Sequence, residues 1–284
     1  MNNKIIITAD STADLSSELI EKYNIVIIPL HIVFGDKSYD DLVNITPDEI
    51  YANFDKNGTL PTTSAINCQE YIDKFKPYVD DGYEIVHISI GSALSTSHNQ
   101  CCMAAQELGN VYPVDSCSLS TGSGLLAIEA AKRVDKGMAA KDIAKEIQAL
   151  ASKVHADFVV DKLTYLRAGG RCSALAALGA NLLGIRPRID VNNADGSMSV
   201  GKKYRGKLDK VIDTYTQERL SDLNSIEKDR IFITHSGIDK EIVDSVYEAI
   251  KSKNYFDEIL ITRAGCTVSS HCGPGTLGVL YINK

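Results

Sequence analysis

The chain has 284 residues, 44% of them hydrophobic and 24% charged. That is the balance of a folded globular protein, and the length suits two domains better than one core. Thirty lysines and arginines against thirty-seven aspartates and glutamates leave a net charge of −7, which argues against nucleic acid as the main partner, because a surface that neutralises phosphates carries positive charge. No apolar run is long enough for a transmembrane helix, so stable membrane insertion is not expected. The N-terminus passes straight into a short apolar strand instead of a signal peptide's apolar region.

The elements alternate along the chain. Residues 4–8 read as an isoleucine-rich strand ending at Asp10-Ser11-Thr12, and 15–23 as a helix. Residues 25–34 return to strand, with Pro29 marking an edge or a bulge. Thr46-Pro47-Asp48-Glu49 is a capping box with proline at the first helical position, and Asn67 with Glu70 repeats the spacing. A strand at 84–89 leads through Gly91–Ser97 into a helix reaching about Leu108. A strand at 111–114 ends in Asp115-Ser116-Cys117-Ser118. Helices to Val134 and over 139–153 follow. From Ala156 the pattern restarts: a strand at 158–160, a short helical region opened by Gly169-Gly170-Arg171, and a hairpin of 185–191 with 197–204 turning at Asp195-Gly196. A helix at 207–223 comes next, then strands at 230–234 and 258–262 around a helix at 240–253, and a last strand at 277–282. Alternation of this kind predicts parallel-sheet α/β units, divided here into domains at 1–153 and 154–284.

Seven cysteines, an odd number with no CxxC pair and no zinc-finger spacing, read as reduced and largely buried thiols. That usage fits a cytoplasmic protein. Six histidines include no HExxH pair, so no metal is expected. Neither a Walker A nor a GxGxxG motif occurs. Gly122-Ser123-Gly124 has the spacing of neither and reads as close helix packing.

Four hydroxyl-rich loops follow strands or precede helices: Asp10-Ser11-Thr12, Pro61-Thr62-Thr63-Ser64, Leu94-Ser95-Thr96-Ser97 and Asp115-Ser116. Each alone is a helix cap or a turn. Together, at the carboxyl ends of strands in an open α/β sheet, they suggest a site for a small anion such as a carboxylate. His271 stands in a stiff Ser269–Gly275 segment, read as a turn between strands. The basic residues Arg167, Arg186, Arg188, Lys202, Lys203 and Lys207 read as a solvated face, whereas Arg171, after two glycines, is presented at a rim.

These residues, with Thr8-Ala9-Asp10-Ser11-Thr12, Ile28-Pro29-Leu30, Tyr165–Arg171, Tyr204-Arg205-Gly206 and His271-Cys272-Gly273-Pro274-Gly275, resemble the DegV family of bacterial fatty-acid-binding proteins nearly end to end. The resemblance implies two α/β domains with a lipid between them, its acyl chain largely in the second or the N-terminal core. The ligand would be a long-chain fatty acid such as palmitate, stearate or oleate. Its carboxylate would be held by Thr63, Ser95 and His271, supported by Thr62, Ser64 and Thr96. No further cofactor and no catalytic residue of the chain's own is implied. A separate ATP-dependent fatty acid kinase subunit would phosphorylate the carboxylate, and Arg171 and Arg205 match arginines linked to its docking. The sequence departs from the family at Thr96, where the pattern has glycine, and at Cys172, where it has isoleucine. Two other readings are a binding protein for another amphiphilic acid and a serine esterase using Ser95 and His271, although the GxSxG motif of a nucleophile elbow is missing.

Overall fold

The computed structural model describes residues 4–172 and 184–284. β1 (Lys4–Asp10) is the isoleucine-rich run. α1 (Ser17–Lys22) begins at Ser16, whose hydroxyl accepts from Leu19 N at 3.4 Å, and β2 (Ile25–Ile28) follows. Pro29 has no N–H to continue a ladder. The strand expected over 25–34 therefore divides into β2 and β3 (His31–Phe34), which belong to different sheets. β4 (Lys37–Asp40) forms a hairpin with β3. α2 (Pro47–Asn57) and α3 (Cys68–Asp80) open at Thr46/Glu49 and Asn67/Glu70, where both capping boxes form. Between them β5 (Thr62–Ser64) pairs with β3 and sets Thr63 opposite Ile32. β6 (Tyr83–Ser89), α4 (Ser97–Leu108), β7 (Val111–Asp115), α5 (Thr121–Asp135) and α6 (Ala140–Ala151) complete this half.

The first sheet is parallel in the order β2-β1-β6-β7. From β1 the chain moves first to β2 on one side and later to β6 on the other, so the carboxyl ends of β1 and β6 flank the topological switch point where such sheets bind ligands. Asp10 ties those ends together: its carboxylate accepts from Ile90 N at 2.9 Å and from the Tyr71 hydroxyl at 2.7 Å.

The second half contains β8 (Val154–His155), β9 (Phe158–Val159), α7 (Leu163–Gly169), β10 (Ile185–Val191) and β11 (Met198–Arg205). α8 (Leu208–Arg219), β12 (Arg230–His235), α9 (Lys240–Lys251), β13 (Glu258–Arg263), α10 (Cys266–Cys272) and β14 (Leu277–Ile282) follow. Its sheet runs β11-β10-β9-β14-β12-β13, with β8 against β14. The parallel sheet expected from the alternation does not extend to this half: only the β12–β13 pair is parallel among its described strands, because β10–β11 is a hairpin and β14 runs antiparallel to β8, β9 and β12. The β10–β11 hairpin turns where expected, with Gly196 at φ +79°. The helical region expected after Arg171 lies outside the described residues. Arg186 and Arg188 leave the solvated face assigned to them: they pair half-buried with Asp161 at 2.6 Å and Asp190 at 2.5 Å. The seven cysteines are free thiols, with Cys101, Cys172, Cys266 and Cys272 buried. Among the described residues no helix is long and apolar enough to cross a membrane.

α5 lies between the two sheets. Leu125 and Ile128 share one apolar cluster with Ile7 and Val86 of the first sheet and Phe232 and Leu280 of the second. A helix buried on all sides must approach its neighbours closely, which explains Gly122-Ser123-Gly124. A Cβ on Gly124 would stand 2.7 Å from Ala13 O and from Leu15 Cδ2. Gly124→Ala should therefore destabilise the protein by about 1–3 kcal/mol through overpacking, in spite of alanine's better helix propensity. Urea unfolding of the two proteins measures this, and equal or greater stability of the variant would contradict it.

Candidate functional site

The site is assembled by two buried aspartates. Asp41, just past β4, accepts from Cys266 N at 2.7 Å and Thr267 N at 3.2 Å, the first backbone donors of α10. Asp14 accepts from Gly265 N at 2.8 Å and from the Ser120 hydroxyl at 2.5 Å. Donors of a helix's first turn lack partners within the helix, and carboxylates are strong acceptors for them. Ser11 extends the knot: its hydroxyl donates to Asp41 at 2.9 Å and accepts from Leu30 N at 3.1 Å. Burial, with the nearby Asp41 charge adding to it, pushes the Asp14 carboxyl up to about 8 against the opposing hydrogen bonds from Ser120 and Gly265.

These bonds fix α10, and α10 carries His271 on its last turn. The expected turn at 269–275 is helical up to Cys272, with Gly273 as its cap. The Ser270 hydroxyl bonds back to Cys266 O at 2.7 Å, so the serine pair is accommodated inside the helix. His271 Nε2 lies 2.8 Å from Thr63 Oγ1. The other ring nitrogen, Nδ1, is buried and has no partner among the described residues. It abuts Gly169, where a Cβ would come within 2.0 Å of it. Gly169 is therefore glycine because the imidazole needs its space.

Thr63, Ser64, Ser95, Arg171 and His271 line one cavity of about 540 Å³, counted out to its open mouth. The rest of its wall is mainly apolar: Leu30, Ile90, Leu94, Met198 and Val268 belong to it. Ser95 Oγ lies 2.9 Å from Ser97 Oγ and accepts from Ser97 N at 3.2 Å, at the start of α4. Thr96 is exposed and sits in a wider groove outside the mouth, which Thr63, Ser64, Ser95 and Arg171 also line. Its φ of −80° and ψ of −2° are ordinary right-handed values, so threonine replaces the family's glycine without backbone strain. Thr62 is exposed on β5, and Arg205 is exposed at the end of β11; neither lines these cavities. Arg171 is exposed at the mouth, its guanidinium donating to Gly169 O at 2.8 Å. Cys172 packs in the apolar cluster of Leu94, Leu166 and Val268.

Two of the four hydroxyl-rich loops are structural. Ser11 serves Asp41 and Leu30, and Asp115 Oδ1 accepts from Ser92 N and Cys117 N. The loops of Thr63 and Ser95 face the cavity. Sequence reading missed Asp14 and Asp41, which act on residues 251 and 225 positions away and carry no local motif. It also missed Gly169 and the apolar lining. Among the described residues no group of three or more His, Cys, Asp or Glu side chains could hold a metal ion.

Burial first, and the Arg171 charge second, lower His271 from an ordinary 6.5 to about 4. The ring is neutral at pH 7. Between pH 6.5 and 4 the unfolded chain binds a proton that the folded one refuses. This contribution to stability is thus complete above 6.5 and is lost as pH falls towards 4, by about 3 kcal/mol in all. Urea midpoints taken across that window should fall more steeply for the wild type than for His271→Gln. Parallel pH dependence in the two would rule out the neutral, buried imidazole.

The model of the family described as “Uncharacterised protein, DegV family” matches residues 4–284. A DegV domain-containing protein of Clostridium perfringens is 32% identical over 284 residues, covering 99% of each chain. Among solved structures, DegV of Bacillus subtilis, described as a fatty acid binding protein, aligns with a TM-score of 0.85 at 27% identity, over 99% of this chain and 100% of its own. A stearic-acid-binding protein of Eubacterium ventriosum aligns with a TM-score of 0.82 at 26% identity, over 98% of each chain. A Thermus thermophilus DegV family protein reaches a TM-score of 0.90 at 24% identity, over 99% of this chain and 100% of its own, a likeness of fold.

Proposed function

The chain belongs to the DegV family, and from that premise we propose that it is a cytoplasmic carrier of one long-chain fatty acid, held between units 1–153 and 154–284 with its carboxylate at Thr63, Ser95 and His271. The observation that carries this reading is a neutral imidazole and a threonine hydroxyl 2.8 Å apart at the mouth of a largely apolar cavity. The two relatives described as binding fatty acid or stearic acid support it.

The energetics fit an anionic head on an apolar tail. Each buried methylene contributes about 0.8 kcal/mol. The carboxylate must recover its lost hydration from charge-assisted hydrogen bonds. With the imidazole proton on Nε2, the ring donates to Thr63 Oγ1, and the threonine's own O–H is then left to donate to the carboxylate. Nδ1 is in that case a bare lone pair against Gly169, the less costly orphan. Ser95 supplies a second hydroxyl and Arg171 a positive field at the rim. A serine esterase has no comparable support, because Ser95 is bonded to Ser97 and His271 to Thr63.

In the same reading the open groove beside Arg171 and Thr96 receives a separate ATP-dependent kinase subunit, which supplies nucleotide and magnesium. A carboxylate oxygen attacks the γ-phosphorus, ADP leaves, and an acyl phosphate forms. Arg171 and Arg205 dock the partner. The carrier contributes position and a dry headgroup site.

Organic extraction and native mass spectrometry of the purified chain test the carrier. A long-chain fatty acid should be recovered, and Thr63→Val and Ser95→Ala should each weaken retention by about tenfold or more, since each loses a hydrogen bond to a charged group. Full occupancy in both variants, or recovery of a different amphiphile, would sink the assignment. Arg205→Ala should leave occupancy unchanged and slow acyl-phosphate formation with a fatty acid kinase subunit. Unchanged turnover would remove Arg205 from docking.

A further inference from the structure

The small sheet that carries Thr63 has two faces. Alternation along β3 and β5 puts Ile32 and Thr63 on one and His31 and Ser64 on the other. The first face rests on α10: Thr63 meets His271, and Ile32 packs in one apolar cluster with Cys266. On the opposite face His31 reaches a carboxylate from each of two other elements. Its Nδ1 lies 3.1 Å from Asp40 Oδ1 of β4, and its Nε2 lies 2.8 Å from Glu70 Oε1 of α3. The ring is half-buried between them.

A neutral imidazole has one N–H and one lone pair. It can donate to one of these carboxylates, and it then turns its lone pair on the other. An imidazolium donates to both, through two charge-assisted bonds. Among the described residues, the titratable groups bonded to the ring are Asp40 from β4 and Glu70 from α3. β5 sets Ser64 opposite His31, and Asp73, further along α3, is bonded to Gln69.

β5 needs support of this kind. It is a three-residue strand at the edge of its sheet, paired to β3. So short a pairing holds a strand weakly. Glu70 also anchors the far end of the same segment: its Oε2 accepts from Asn67 N at 2.9 Å and closes the capping box that starts α3. One carboxylate therefore ties β3, through His31, to the start of α3, and the residues between carry Thr63.

We propose that His31, as the imidazolium between Asp40 and Glu70, is the positioning residue that seats β5 and Thr63 against His271, so that headgroup binding weakens when the ring loses its proton. The proposal rests on the fatty-acid reading and adds a pH response to that site. Histidine changes charge between about pH 5 and 8. The clamp is closed on the acid side of its titration and is released as pH rises through it.

The test titrates the delipidated full-length protein with a fluorescent long-chain fatty acid at about pH 6 and about pH 8.5. A carboxylic acid in water is ionised across that interval, and His271, lowered to about 4, stays neutral. Asp14, raised to about 8, also titrates there, so each variant is read as a ratio to the wild type at the same pH. The wild type should bind about fivefold or more tighter than His31→Gln at the lower pH, and the two should converge to within about twofold at the higher. A merely structural histidine would give the same ratio at both. Glu70→Gln keeps an oxygen for Asn67 N and should weaken binding at the lower pH by a similar factor, with the double variant about as weak as either single one. An effect of charge alone would have the opposite sign, because removing a carboxylate favours an anionic ligand. A pH-independent ratio for His31→Gln, or tighter binding by Glu70→Gln, would overturn the clamp, and Glu70→Gln decides it should His31→Gln fail to fold. A wild-type chain that takes up no fatty acid at either pH would instead overturn the fatty-acid reading, and the clamp with it.

Discussion

The structure depends on two aspartates of the first half receiving the backbone N–H groups that open α10 in the second. Asp14 takes Gly265, and Asp41 takes Cys266 and Thr267. Neither carboxyl reaches water: Asp14 is 2% and Asp41 1% exposed. A buried carboxyl that lost its partners would carry its full desolvation cost, so α10 has little freedom to move relative to the first sheet. The same knot, through Ser11, holds Leu30 N, and Leu30 leads directly into β3, the strand on which β5 and Thr63 are hung. The 2.8 Å approach of Thr63 to His271 is thus positioned, through β3 on one side and α10 on the other, by the buried knot at Asp41.

Burial also decides the charge state of what it holds. It lowers His271 to about 4, which leaves the ring neutral at pH 7, and it raises Asp14 to about 8, so burial works against charge at both positions. On the proposed function an incoming carboxylate would bring the charge, and it would meet hydroxyls and an imidazole instead of a fixed counter-ion inside, with Arg171 exposed at the rim. Neutral donors would hold such a head while leaving its oxygens open to the groove. A fully desolvated arginine would instead bind both oxygens in a fixed fork.

Local signals in the sequence carried over faithfully into the fold. The two capping boxes, the Asp195-Gly196 turn and the isoleucine run of β1 depend on a few neighbouring residues, and each forms as read. Where tertiary context competes with local pattern the reading diverged. Pro29 suggested a bulge in one strand because nothing in the residues around it says that His31 will join another sheet. Ser269-Ser270 followed by a Gly-Pro-Gly run looks like a turn, yet the N–H groups at the start of that segment are satisfied by Asp14 and Asp41 and a helix forms. The hydroxyl donors were legible as types at strand ends. What separates Thr63 and Ser95 from Ser11 and Ser116 is which of them faces a void, and that is a property of packing.

Packing against α10 also joins the polar and apolar parts of the cavity wall. His271 stands on the same short helix as Val268 and Cys272, so the imidazole and that stretch of apolar wall move as one rigid piece. Asp14 sets the position of that piece at one end and of the loop before α5 at the other. A shift of α10 would therefore move His271 relative to Thr63. One short helix therefore carries both the imidazole and this stretch of apolar wall, and two buried aspartates hold it in place.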